Sequence, residues 1–209
     1  MIALPNYADI NGRPMKKLQI QQYLRKLQLN DFEPAVNLAT LTKLQDAHLK
    51  YIPYENFDCL NGKITSLKRQ DMFNKVIMHN RGGICFELNG LYNWLLESLG
   101  FDVTSYSARF IDKMETYQLR RHRVMCVALG DKRYLTDVGV NSESPRVPLE
   151  ITEGLIQSDG ISQYKFTRSE FWGWLLWQKE RGKIWKRLFG FTEEPQIDKD
   201  FITSSFWCD

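Results

Sequence analysis

Apolar residues recur at helical spacing through the first hundred positions of the chain. Leu38, Leu41 and Leu44 predict one helix before Tyr51-Ile52-Pro53. Phe73, Val76 and Ile77 predict a second, with Ser66 as its candidate cap and Asn80-Arg81-Gly82-Gly83 as its stop, because glycine accepts the left-handed geometry that ends helices. A third helix begins near Cys85. Its apolar positions Leu88, Leu91, Tyr92, Leu95, Leu96 and Leu99 form a broad stripe, and Gly100 ends it. The pattern changes at Phe101. Residues 101–111, 122–129 and 133–138 have strand composition with turn-length gaps, and Gly130-Asp131 is the expected hairpin turn. Residues 147–156 and 163–168 predict further strands. From Ser169 the chain reads as helical again, with Trp172, Trp174, Trp177 and Trp185 set among Lys and Arg. The pattern therefore predicts an α+β protein in three parts: a helical bundle over 1–100, an antiparallel sheet or barrel over 101–168, and a helical region over 169–209.

Composition narrows the function classes. The 209 residues are 43% hydrophobic and 25% charged, an ordinary soluble balance with room for a real core. A net charge of +3 is too small to argue for nucleic acid and fits an anionic small molecule slightly better than a cationic one. The four cysteines (Cys59, Cys85, Cys126, Cys208) have no regular spacing and no CxxC pair, so no metal site is expected. The N-terminus lacks the long apolar core of a signal peptide, and no stretch reaches the roughly 18 apolar residues of a membrane span. The expectation is a cytoplasmic protein with reduced thiols and no membrane partner.

Candidate chemistry centres on Cys85. It follows a glycine pair and opens a helix, where the helix dipole favours the thiolate and free N–H groups are available to an oxyanion. A lone cysteine is usually a small buried hydrophobe, which is the reading for Cys126 in its apolar strand. His122 opens the strand Val124–Leu129 at the rim of a rigid sheet, where a side chain is well positioned for catalysis. His48 reads as a residue of a surface helix, and His79 as one that satisfies a helix end. Asp137 lies among apolar residues in the next strand. With a turn at Gly130-Asp131, position 122 falls opposite 138 or 139, which makes His122 and Asp137 neighbours across the ladder. Nucleophile, base and orienting group are thus all present. Glu55 and Arg81 form a second candidate pair, equally readable as two solvated charges.

Four blocks occur in order: Ile52-Pro53-Tyr54-Glu55-Asn56, Arg81-Gly82-Gly83-Ile84-Cys85-Phe86-Glu87-Leu88-Asn89, His122, and Asp137-Val138-Gly139. From about Tyr23 to Asp209 the chain resembles the arylamine N-acetyltransferases, and the spacings of 37 residues from Cys85 to His122 and 15 from His122 to Asp137 are similar to that family's. The resemblance implies a papain-like Cys85-His122-Asp137 core with a helical bundle, a β-barrel and an α/β lid. It implies acetyl-CoA as co-substrate, no metal, and ping-pong transfer through an acetyl-cysteine to an arylamine, arylhydrazine or N-hydroxyarylamine. It further implies that Glu55 and Arg81 form a buried ion pair bracing the Cys85 loop, that Glu87 supports the same loop, and that Tyr54 and Val140 line the acceptor pocket. Several positions depart from the family pattern. Tyr54 stands where Phe is usual, and Val140 stands where many members have Phe, which implies a wider pocket. Val140-Asn141-Ser142 replaces a glycine-rich turn expected to touch pantetheine. The sequence stops at Asp209, short of the family's usual length, which implies a partial third domain and an acetyl-enzyme open to hydrolysis. The same triad serves an amide synthase, a thioester hydrolase, a transglutaminase-like enzyme or an inactive relative. A binding module docking through the Trp/Lys/Arg tail is the non-enzymatic alternative.

Overall fold

A computed structural model of the chain describes residues 12–111, 118–140 and 143–208. Asn141 and Ser142, of the expected pantetheine-contacting turn, lie outside the described residues. The N-terminal part contains α1 (Lys17–Lys26), α2 (Leu38–Tyr51), α3 (Phe57–Leu60), α4 (Arg69–Phe73) and α5 (Cys85–Ser98). Asn37 caps α2 by accepting the Thr40 N–H at 2.8 Å. Leu41, Leu44, Gln45 and His48 make its buried face. His48 is therefore a core residue rather than a surface one, because its i+4 and i+7 relation to Leu44 and Leu41 places it on the apolar stripe. It sits between the rings of Tyr23 and Tyr92, at 6.0 and 5.3 Å.

The second predicted helix starts later than expected. Ser66 lies two residues before the cap position, which Lys68 occupies, and its hydroxyl donates to Asp71 at 2.6 Å. α4 passes into a π-helical turn, Asn74–Met78. That helix stops on Asn80, which takes the left-handed φ of 56° assigned in advance to the glycines after it. α5 is the central helix: every residue from Cys85 to Leu96 is buried.

The sheet contains β1 (Asp102–Phe110), β2 (His122–Leu129), β3 (Lys132–Thr136), β4 (Leu149–Glu150), β5 (Gln157–Ser158), β6 (Ser162–Ser169), β7 (Gly173–Glu180) and β8 (Lys186–Phe191). Its order is β4-β3-β2-β1-β8-β7-β6-β5, all antiparallel. Beyond β4, Glu153 bridges to Phe166 of β6, and the Gly154 N–H donates to the Phe166 carbonyl at 2.9 Å, so the sheet nearly closes on itself as a barrel. β2 is buried on both faces, which explains its unbroken apolar run. Val124 and Cys126 face the barrel core with Phe166, Leu176 and Phe189, while Met125 and Val127 join the helical core with Leu88, Leu91 and Leu95.

The helical reading of the tail is wrong. Residues 173–180 and 186–191 are strands β7 and β8 of the same sheet. Trp174 and Leu176 alternate into the barrel core, and Trp177 points the other way, where Lys165 and Arg187 approach its ring at 5.8 Å each. The mixture of Trp with Lys and Arg is a set of cross-strand contacts, not two faces of a helix. Gly173 and Gly182, both with φ of 74°, end the turns that separate these strands. A short 3-10 turn (Asp198–Phe201) and α6 (Ile202–Phe206) follow.

Candidate active site

Cys85 is the first residue of α5 and is held from below. The Ile84 N–H donates to Glu87 Oε2 at 3.0 Å, and Lys75 Nζ donates to both Glu87 oxygens at 2.8 and 3.0 Å. Burial raises the Glu87 pKa, while Lys75 and the Ile84 N–H pull it back down. The loop before the cysteine is packed too tightly for side chains at its glycines. A Cβ at Gly82 would stand 2.0 Å from the Pro53 carbonyl oxygen. Arg81 braces the same loop through Glu55, with Nε and Nη2 donating to Oε1 at 2.9 and 2.8 Å, and reaches Asp58 at 3.2 Å. The expected burial of this pair holds for Glu55 alone, because the Arg81 side chain is 40% exposed.

β2 presents His122 at its first position, and β3 runs out towards Asp137. The register Met125↔Thr136 continues to place 122 opposite 139, within the expected range. His122 Nε2 lies 2.7 Å from Asp137 Oδ2, and both side chains are fully buried. Phe110 and Phe189 flank the imidazole at 5.0 and 5.4 Å. Among the described residues, His122 Nδ1 has no hydrogen-bond partner, and the Cys85 thiol acts on the same ring. Burial pushes the imidazole towards neutrality. The Asp137 carboxylate, with Cys85 adding to it, outweighs that cost and raises the pKa to about 10.

Asn89, one turn beyond Cys85 on the same face of α5, ties the three together. Its Nδ2 donates to Asp137 Oδ1 at 2.8 Å and to the Arg123 carbonyl at 2.6 Å, and its Oδ1 accepts the Val138 N–H at 2.9 Å. Asp137 Oδ1 also accepts the Gly139 N–H at 2.8 Å. A Cβ on Gly139 would stand 2.8 Å from Cys85 Cα and from Asn89 Nδ2. Gly139→Ala is accordingly expected to cost about 1–3 kcal/mol, read as a lowered urea midpoint at unchanged m-value.

A cavity of about 320 Å³ opens onto Cys85. Tyr54, Phe110, Arg121, Trp207 and Cys208 line it. A larger cleft of about 540 Å³ lies beside Asn93, Asp102 and Gln196, but none of Cys85, His122 and Asp137 lines it, so the chemistry selects the smaller one. Tyr54 reaches its place through a bridge to Gly83. Its pKa is pushed up to about 12 by burial and by the nearby thiols of Cys85, Cys208 and Cys59, against an opposing pull from Arg121. Val140 is not among the lining residues. It is buried in the barrel core, and its N–H donates to Ser144 Oγ at 2.8 Å. Asn89, Phe110, Arg121, Trp207 and Cys208 were not singled out by sequence reasoning. Only Asn89 carried a signal, its i+4 spacing from Cys85.

A buried Cys-His-Asp line beside a small cavity can form and break an acyl-sulfur bond. The sequence model of the N-acetyltransferase family matches residues 37–209. Arylamine N-acetyltransferases of Mycolicibacterium smegmatis and Escherichia coli (strain K12) are 35% identical over 191 residues and 30% identical over 174. These matches cover 88% and 83% of this chain but 68% and 61% of those proteins, so the chain spans about two thirds of their length. A 30% identical relative named Proansamycin X synthase, from Amycolatopsis mediterranei, matches over 193 residues, or 90% of this chain and 72% of that protein. Among solved structures, the arylamine N-acetyltransferase from Salmonella typhimurium superposes with a TM-score of 0.86 at 27% identity, over 92% of this chain and 69% of that one. On the match over most of its length, and on the identity to these relatives, the chain belongs to the arylamine N-acetyltransferase family.

Proposed function

We propose that this chain transfers an acetyl group from acetyl-CoA to an arylamine, arylhydrazine or N-hydroxyarylamine through an acetyl-Cys85 intermediate. The observation that carries the reading is the continuous line from Asp137 Oδ2 to His122 Nε2 and on to the open Nδ1 beside the Cys85 thiol. Cys85 Sγ attacks the thioester carbonyl carbon while His122, charged at neutral pH by its pKa of about 10, holds the proton on Nδ1. The carbon–sulfur bond to CoA breaks, and the imidazolium returns its proton to the departing CoA sulfur. The amine nitrogen of the acceptor then attacks the acetyl carbon and gives up a proton through His122. The new amide leaves and Cys85 is restored. Asp137 holds the His122 ring in the orientation and tautomer this needs. Tyr54 and Phe110 line the cavity that takes the aromatic ring.

Among the described residues no three or more His, Cys, Asp and Glu side chains cluster where they could hold a metal ion. No helix among them is long and apolar enough to cross a membrane. A reducing, cytoplasmic setting is part of this reading.

Intact-mass spectrometry after mixing with acetyl-CoA tests the proposal. One acetyl group is expected on the peptide containing Cys85, removed again by an arylamine. Cys85→Ser is expected to take up none. An adduct that water removes as fast as the amine does would indicate a thioester hydrolase. No adduct from acetyl-CoA, but one from another acyl thioester, would favour the amide synthase reading.

A further inference from the structure

We propose that Lys75 is a positioning residue for Cys85 and acts through Glu87: by neutralising that carboxylate it lets Glu87 hold the nucleophile loop without opposing the Cys85 thiolate. The inference rests on Cys85 being the nucleophile of the acyl-transfer reading above.

A lysine of an amphipathic helix ordinarily extends into solvent. Lys75 belongs instead to the π-helical turn, a rare local geometry that recurs at functional sites. Its His79 N–H donates five residues back, to the Asn74 carbonyl at 2.9 Å. The Lys75 side chain is only 18% exposed, and its ammonium bridges two carboxylates. It reaches Glu87 at 2.8 and 3.0 Å and Asp58 at 2.9 Å. Burial lowers the Lys75 pKa, but Glu87 and Asp58 outweigh it and raise the value, so the group stays charged. Among the described residues no other cation touches Glu87. Arg81 serves Glu55 and Asp58, and Lys63 meets Asp58 at 3.7 Å from the surface.

Glu87 stands two residues beyond Cys85 in the first turn of α5, and its side chain is 3% exposed. Its carboxylate accepts the Ile84 N–H and packs on Gly83, where a Cβ would stand 2.7 Å from Oε2. The same group therefore shapes the loop and sets a negative charge beside the nucleophile. Left uncompensated, that charge disfavours a second anion at the Cys85 sulfur. The titratable groups on the other sides of the thiol are His122 from β2, and Tyr54 and Cys208 in the cavity wall. None of them contacts Lys75, so a change at Lys75 reaches the thiol through Glu87.

The test compares Lys75→Met, Lys75→Arg, Glu87→Gln and the double variant Lys75→Met/Glu87→Gln. A glutamine keeps an oxygen for the Ile84 N–H but carries no charge. Release of p-nitrophenol from p-nitrophenyl acetate reads acylation, and the pH profile of iodoacetamide alkylation reads the thiolate. Lys75→Met is expected to slow acylation about 10- to 100-fold and to raise the pH midpoint of alkylation by about one unit, with Lys75→Arg near wild type. In the Glu87→Gln background the same Lys75→Met change is expected to alter acylation by about twofold or less. That comparison decides the matter even where Lys75→Met alone does not fold, because the double variant has no charge at Glu87 to bury and Asp58 retains Arg81. A further loss of about tenfold in that background, or an alkylation profile in Lys75→Met that superimposes on wild type, overturns the proposal. A wild type that is alkylated at Cys85 but releases no p-nitrophenol overturns the acyl-transfer reading, while the alkylation profiles still decide whether Lys75 acts on the thiol.

Discussion

Asp137→Asn is expected to slow acetylation of Cys85 by about 10³- to 10⁴-fold while the protein remains folded. The reason is the direction of each hydrogen bond. Asp137 Oδ1 accepts from Asn89 Nδ2 and from the Gly139 N–H, and Oδ2 faces His122 Nε2. An asparagine in this place has one orientation open to it. Its oxygen must take the Oδ1 position, because an amide NH₂ there would face two donors. Its NH₂ then points at His122 Nε2 and makes that atom an acceptor. The imidazole proton moves to Nδ1, the nitrogen beside Cys85, which can no longer take the thiol proton. The charge that raises the His122 pKa disappears as well. Stopped-flow release of p-nitrophenol from p-nitrophenyl acetate reads the acylation step directly. The pH dependence of Cys85 alkylation by iodoacetamide reads the tautomer. A substitution that merely loosened the fold would lower the urea midpoint and leave the alkylation profile in place. Acylation within tenfold of wild type would show that the His122–Asp137 contact is not what orients the base.

Much of this site could be read before any coordinates, for identifiable reasons. The hairpin turn at Gly130-Asp131 and the two-residue side-chain period of strands fix which positions oppose His122, so the His122–Asp137 contact was a matter of counting. The crowded loop at Gly82 and Gly83 was legible because glycine pairs before a helix signal close backbone approach. Burial was less legible where it depends on distant segments. Arg81 and Val140 sit in the expected motifs, yet one side chain is half in solvent and the other packs into the barrel. The tail was misread because tryptophans three apart fit a helix as well as a strand, while the turns at Gly173 and Gly182 that decide the matter involve backbone angles absent from a hydrophobicity pattern. Arg121 and Trp207 reach the cavity only through tertiary folding, and no local spacing connects them to Cys85.

Stability is expected to peak near pH 6–7 and to fall on both sides, with a different histidine governing each limb. His48 is fully buried, and neither ring nitrogen nor the adjacent Tyr23 hydroxyl has a hydrogen-bond partner among the described residues. Burial lowers its pKa to about 3. Between that value and the roughly 6.5 of an unfolded histidine, acid protonates the unfolded chain and not the folded one, so stability drops as pH falls. His122 works in the opposite sense. Its folded pKa of about 10 lies above the unfolded value, so its contribution is complete below about pH 6.5 and is lost as pH rises towards 10. Each limb amounts to about 2–3 kcal/mol over its first two pH units, a large share of the usual 5–15 kcal/mol for a domain. Carboxylates held low by their partners, such as Asp58 and Asp198, act further down, below about pH 4. Urea unfolding between pH 4.5 and 6.5 therefore reads His48 together with Glu87, whose raised pKa acts in the opposite sense, and comparison with a His48 variant separates the two. His48→Phe keeps a ring against Tyr23 and Tyr92 and removes both orphaned nitrogens. Its acid limb is expected to be flatter than that of wild type, so that the stability difference between the two proteins grows as pH is lowered. Parallel curves for the two proteins would mean that His48 gains a proton without unfolding, and that water or a partner reaches its ring in the native state.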